Sequence, residues 1–196
     1  MTRRQPQDHY FRRARKEGFL ARSVYKLEEI DRRVRLFKPG QRVLDLGCHP
    51  GSWLQYSARV VGKRGLVVGV DTRDISVELP PHVQFLQADV FELSPVGLHH
   101  LSREFDVVLS DLAPATTGIR SVDSNRSAML FQRALALADN LLPPGGNFLG
   151  KIFQGSGFDP IVQELKSEFR RVRGIKPRAT RKISKEIYLV AMDKRA

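Results

Sequence analysis

The sequence predicts an α/β domain built on a mostly parallel β-sheet with helices on both faces. Two patterns predict it. Short apolar runs of strand length alternate with segments of helical period, and that alternation gives parallel strands joined by helical crossovers. Four of the runs also end in aspartate, at Asp45, Asp71, Asp89 and Asp111. In sheets of this kind ligands bind beyond the carboxyl ends of the strands. A single aspartate there is commonly a helix cap. Four on one edge point to a ligand site whose carboxylates suit hydroxyls, amines or a positive charge.

The elements follow in chain order. Residues 1–18 read as a flexible basic arm with Tyr10 and Phe11 interleaved. Residues 19–36 have helical period: Leu20, Val24, Leu27 and Val34 share a stripe with Ile30 at its edge. Lys26 falls about 100° off that stripe, on the flank of the helix. KPGQ (38–41) is a turn and RVLDLG (42–47) a strand. A helix over 51–61 leads to the strand GLVVGVD (65–71), then the strand HVQFLQAD (82–89). A short helix over 95–103 precedes FDVVLSD (105–111), a buried strand that delivers Asp111. A long helix over 124–142 keeps Leu130, Ala134, Leu137 and Leu141 in phase and stops at PPGG (143–146). The strand NFLGKIF (147–153) carries Lys151. A helix over 158–169 is followed by strands at 170–176 and 186–192, joined by the basic loop KPRATRKISK. Residues 19–196 are expected to form one domain.

Composition narrows the partner. There is one cysteine, Cys48, which leaves no internal disulfide and no zinc site built from several cysteines. No apolar run approaches a membrane span, and the first residues lack the apolar core of a secretory signal. That stretch is rich in arginine but has no serine and contains Asp8 and Glu17, which argues against an organellar transit peptide. A cytoplasmic monomer is expected. Charge is the strongest global signal, with 33 Lys+Arg against 21 Asp+Glu. Residues 1–42 and residues 166–196 each carry a net +8, while residues 43–165 carry a net −4. Two strongly basic ends flanking an acidic middle suit a polyanion, nucleic acid before an anionic membrane.

The loop DLGCHPGSW (45–53) lies between a strand and a helix. Its Gly47 and Gly51 allow close approach of backbone to a ligand. Their spacing is G-x-x-x-G, not the G-x-G-x-x-G of dinucleotide sites, and Asp45 places negative charge where a pyrophosphate would sit. Asp71, at the end of the next strand, suits a ribose diol. Adenosine with a cationic, phosphate-free tail fits this set, which points to S-adenosyl-L-methionine.

With SDLAP (110–114), GKIFQG (150–155) and SKEIYLVA (184–191) added to that loop, the chain resembles the FtsJ/RrmJ family of ribosomal RNA 2′-O-methyltransferases. The resemblance runs from ARSVYKLEEID to RKISKEIYLVA. It implies a Rossmann-like class I methyltransferase sheet of seven strands with the last antiparallel. It also implies a catalytic Lys-Asp-Lys-Glu set at Lys26, Asp111, Lys151 and Glu186. The implied roles are Lys151 as general base, Lys26 as the neighbouring cation and hydroxyl guide, Asp111 as orienter and Glu186 as a supporting polar partner. Methyl transfer from a sulfonium to an alcohol needs mainly positioning and removal of the hydroxyl proton. An uncharged amine is favoured by burial and a second cation. The cofactor positions implied are Gly51, Trp53, Asp71, Asp89 and Asp111, with Asp45, Gly47, Pro50 and Val90 beside them. Cys48, His49 and Ser52 depart from the small residues usual in the family's loop.

The implied substrate is a uridine of large-subunit, 23S-type rRNA within the large ribosomal subunit; the residues alone do not separate rRNA from tRNA. Arg12, Arg13, Arg22, Arg32, Arg178, Arg181 and Lys182 are expected to contact RNA, together with Arg3 and Arg4. Such contacts go to phosphates, so they position RNA more than they read it. A non-catalytic RNA-binding module or a small-molecule methyltransferase are the rival readings; the first would not need both lysines, the second would not need two basic ends.

Overall fold

The computed structural model describes residues 6–75, 77–181 and 183–196. Seven strands form one sheet: β1 (Arg42–Leu46), β2 (Leu66–Asp71), β3 (Val83–Gln87), β4 (Val107–Ser110), β5 (Asn147–Phe153), β6 (Phe169–Ile175) and β7 (Glu186–Lys194). Their order is β3-β2-β1-β4-β5-β7-β6. Strands β1 to β5 pair in parallel. Strand β7 is antiparallel to both β5 and β6, as the resemblance implied. The chain starts at β1 in the middle and winds first one way and then the other. The carboxyl ends of β1 and β4 therefore flank the switch point where such sheets bind ligands.

Both faces are covered, which is why the central strands β1, β2, β4 and β5 are buried along nearly their whole length. On one face α2 (Val24–Val34) and α3 (Ser52–Val61) bury Leu27, Ile30, Trp53 and Leu54 against Val43, Leu109, Leu149, Tyr188 and Val190. On the other, α5 (Arg120–Leu141) and α6 (Phe158–Glu168) bury Phe131, Leu135 and Leu165 against Val108, Phe148 and Leu189. Leu189 and Tyr188 thus face opposite layers, as alternate strand residues must.

Three elements differ from expectation. Within the segment expected to be a flexible arm, α1 (Pro6–Lys16) is helical and docks. Ala14 is buried, the Tyr10 ring lies 5.5 Å from that of Tyr25, and the Arg13 guanidinium stacks 4.3 Å over Tyr25. Burial of one small face gives this short basic helix its support. The expected helix over 95–103 is one turn, α4 (Pro95–Leu98). Ser94 caps it through Gly97 N–H, but Gly97 itself is a poor residue for carrying the helix further. Helix α5 begins at Arg120, four residues before the expected start. The Asp123 carboxylate gathers the Thr117 and Gly118 amides there, a tertiary turn that periodicity does not show.

Candidate active site

The four strand-end aspartates stand where expected. Asp45 is the last but one residue of β1, Asp71 closes β2, Asp111 follows β4 directly, and Asp89 comes two residues after β3. Their environments differ. Asp71 accepts the His49 N–H at 2.9 Å and the Arg73 N–H at 2.9 Å, so it ties the glycine loop to β2. Asp89 is exposed and accepts the Phe91 N–H. Val90 is buried in the core and its carbonyl takes the Arg133 guanidinium at 2.7 Å. Asp45 is fully buried, and neither carboxylate oxygen has a partner among the described residues. Burial, and then the charges of Asp111 and Asp71, push its carboxyl well above the usual range. An orphaned carboxylate at a switch point is the observation that a cationic ligand fits.

The loop between β1 and α3 explains its own residues. Gly47 has φ +80°, and a Cβ there would lie 2.8 Å from Leu112 Cδ2. Its first requirement is thus packing against the segment after Asp111. Gly51, at φ +108°, donates to the Cys48 carbonyl at 2.7 Å and opens α3; the His49–Pro50 bond before it is cis. Cys48, one of the departures from the family pattern, is buried beside Gly69 on β2, and burial pushes its thiol up. Its bulk therefore goes to the core. Ser52 Oγ lies 2.9 Å from Ser23 Oγ, and the Trp53 indole N–H donates to the Ser23 carbonyl at 3.0 Å. The two bonds fasten the glycine loop to the start of α2, the helix that carries Lys26.

The four residues of the expected catalytic set meet as two lysine–carboxylate pairs. Lys151 Nζ lies 3.0 Å from Asp111 Oδ1 and donates to the Asp111 backbone carbonyl at 2.7 Å. Lys26 Nζ lies 2.5 Å from Glu186 Oε1. Glu186 also accepts from the Thr180 hydroxyl at 3.1 Å. Strand register explains the gathering: Lys151 stands opposite Tyr188, and Phe153 opposite Glu186. Lys151, Tyr188 and Glu186 consequently share the sheet face under α2. Lys26 was expected beside Lys151; its direct partner is Glu186, with Tyr188 between the pairs.

A family model described as FtsJ-like methyltransferase matches residues 19–194. The chain belongs to the FtsJ-like methyltransferase family. This methyltransferase is 50% identical over 188 residues to "Ribosomal RNA large subunit methyltransferase E" of Desulfatibacillum aliphaticivorans, covering 96% of this chain and 91% of that protein. It is 52% identical over 188 residues to the protein of the same name from Syntrophobacter fumaroxidans, covering 94% of each. A Plasmodium falciparum crystal structure described as a ribosomal RNA methyltransferase superposes with TM-score 0.80 at 26% identity, over 90% of this chain and 98% of that one.

Sequence reasoning missed Tyr188. Its hydroxyl donates to Asp111 Oδ1 at 2.8 Å, and its ring lies 5.8 Å from Lys26 Nζ and 5.9 Å from the Trp53 ring. Burial, then the charges of Asp111 and Glu186, push its phenol well above the ordinary value, so it stays a donor. The signal was present in SKEIYLVA: Tyr188 is two residues from Glu186 and so on the same strand face. Among the expected RNA contacts, Arg12, Arg32, Arg178 and Arg181 are exposed and Arg22 is half-buried. Arg13 is engaged within the methyltransferase, at 2.7 Å from Glu17 and over Tyr25. Arg3, Arg4 and Lys182 lie outside the described residues.

Proposed function

We propose that this methyltransferase transfers a methyl group from S-adenosyl-L-methionine to a ribose 2′-hydroxyl of large-subunit rRNA, within the ribosomal subunit. The observation that carries the reading is the pair of lysine–carboxylate contacts gathered around Tyr188 beside the switch point. The names borne by relatives half identical to this chain support the choice of rRNA.

When bound, the cofactor supplies a methyl group activated by its sulfonium. Asp71 and Asp89 would hold the ribose and base side of the adenosine. The unpartnered Asp45 offers negative charge to the cationic side. Gly47, Pro50 and Gly51 shape the loop that approaches it, with Trp53 as a buried wall. Lys151 is the general base that takes the 2′-hydroxyl proton as the oxygen attacks. Two acceptors on Asp111 hold its Nζ at a defined point, so Asp111 acts by orientation. Lys26, held by Glu186, presents its remaining N–H donors to the acceptor ribose. Arg12, Arg22, Arg32, Arg178 and Arg181, with Lys182, would contact RNA phosphates.

The test is site mapping of 2′-O-methyl groups on undermethylated large subunits incubated with the protein and cofactor. The expected result is one new 2′-O-methyl position in large-subunit rRNA, and its loss by at least a hundredfold in rate with Lys151→Ala, the usual scale of a lost general base. Near-normal turnover by that variant would overturn the base assignment. Methylation confined to tRNA would overturn the substrate.

A further inference from the structure

A second basic cavity, of about 200 Å³, opens away from the catalytic pairs. Four arginines line it: Arg33 and Arg35 at the end of α2, and Arg171 and Arg173 on β6, with Val190 and Met192 of β7 between them. No acidic residue is among its described lining residues. Arg33 reaches Glu29 at 2.5 Å. Arg35, Arg171 and Arg173 make no salt bridge among the described residues.

The placement relates this cavity to the active site. Tyr188 pairs with Ile175, Val190 with Arg173, and Met192 with Arg171. Arg173 and Arg171 therefore lie two and four residues farther along the same strand face as Tyr188, roughly 7 and 14 Å at about 3.4 Å per residue. Arg33 also lines a neighbouring cavity with Arg32, Arg178 and Tyr10, beside Glu28 and Glu29. Basic groups thus run from the loop next to Glu186 to the end of α2. Arg35 adds a separate observation. It caps α2 at φ +56° and ψ +58°, a left-handed conformation for which glycine is the usual residue. An arginine in that position has a side chain where glycine would close the helix with less strain.

Edge-strand charges also deter sheet-to-sheet association, and that would account for Arg171 and Arg173. It does not account for Arg33 and Arg35, which come from a helix and converge on the same cavity. Guanidinium groups sharing a small space repel one another, and an anion relieves that. We propose that this cavity is a second RNA site, holding a backbone phosphate of the strand that flanks the acceptor ribose. The proposal rests on the rRNA reading above. Its chemistry is bidentate recognition of a phosphate by guanidinium.

The experiment measures affinity for a labelled large-subunit rRNA fragment by fluorescence anisotropy between about 50 and 200 mM salt. For Arg171→Gln/Arg173→Gln the expected result is weaker binding and a log-affinity against log-salt slope shallower by about 1.4, two contacts at about 0.7 each for single-stranded RNA. Cofactor affinity and melting temperature are expected to hold. The matched pair Lys63→Gln/Arg64→Gln, at exposed positions between α3 and β2, removes the same charge and is expected to leave the slope in place. Arg35→Gly is expected to weaken RNA binding while melting at the same or a higher temperature, which a merely structural arginine would not do. Equal slopes for the β6 variant and wild type, or equal losses in the β6 and control variants, would overturn the proposal. So would calorimetric binding of inorganic phosphate alone that the β6 variant loses while its RNA affinity stays intact, since that marks a free-anion site. A wild-type chain that neither binds nor methylates rRNA would sink the functional reading instead, which separates the two failures.

Discussion

At Asp45 the fold buries a carboxylate that no described residue satisfies, and this has a thermodynamic consequence. The folded protein holds the Asp45 proton more tightly than the unfolded chain does, because burial raises its carboxyl. Stability of the ligand-free protein is therefore full below the usual carboxylate range near 4 and falls as pH rises above it, by up to about 1.4 kcal/mol per pH unit until the folded value is reached. Asp45→Asn removes the titration. The ligand-free variant should melt higher than wild type at pH about 8, with the gap narrowing towards pH about 5, and it should bind the cofactor more weakly. A wild-type melting profile unchanged by the substitution would count against the buried charge. Tyr188→Phe tests the other buried polar group. It keeps the ring beside Trp53 and Lys26 and deletes only the bond to Asp111. Single-turnover methyl transfer should fall by roughly ten- to a hundredfold, the equivalent of about 1.5–3 kcal/mol for a hydrogen bond to a charged group. Asp111, Lys151, Lys26 and Glu186 were legible because their motifs fall in the family's order. Tyr188 was not, because an aromatic in an apolar strand looks like core, and here it is core as well.

At the scale of elements, β5 shows how packing aims a functional side chain. Its bounds, residues 147–153, agree with the sequence expectation, since an apolar run between PPGG and a turn leaves little choice. Gly150, one residue before Lys151, faces Phe131 of α5, and a Cβ at Gly150 would collide with that ring. The ring cannot easily yield, because it meets Phe148 edge-to-face at 5.3 Å. Gly150→Ala should therefore cost about 1–3 kcal/mol of stability by overpacking. Because the strand must shift to absorb the methyl, turnover should drop more than cofactor affinity; thermal melting alongside steady-state kinetics checks both. An unaltered melting temperature would show that α5 gives way freely. Helices α1 and α4 depart from the sequence pattern for opposite reasons. The docking of α1 depends on Tyr10 and Arg13 meeting Tyr25, a contact invisible to local periodicity. The shortness of α4 follows from Gly97, a local signal present in the sequence itself.

Across the whole molecule, the two basic ends of the chain meet. Residues of α1, α2 and the loop after β6 line one cavity, where Tyr10 and Arg32 face Arg178. Glu29, buried in α2, accepts the Arg178 N–H at 2.7 Å and pairs with Arg33, so one carboxylate pins the two blocks together. Basic residues from the two ends, Arg13, Arg32, Arg33 and Arg178, thus share one cavity. RNA affinity should fall linearly in log-log form with salt. A slope steeper than about −4, the signature of some six or more phosphate contacts on single strands, is expected. A slope near zero would mean that the basic face does not meet the backbone of the RNA.

The sequence by itself determined the fold class, the order of the strands and of helices α2 to α6, and the identity of the residues at the strand ends. Each is set by local pattern: alternation of apolar periods, a glycine loop, and short motifs in a given order. Only the tertiary structure decided which charges face which. Register between β5 and β7 sets Lys151 opposite Tyr188, α2 brings Lys26 to Glu186, and β6, paired with β7, carries Arg173 and Arg171 away from the site toward Arg35. Pairing of charges is a property of distances between segments far apart in the chain, and those distances are fixed only when both layers pack on the sheet.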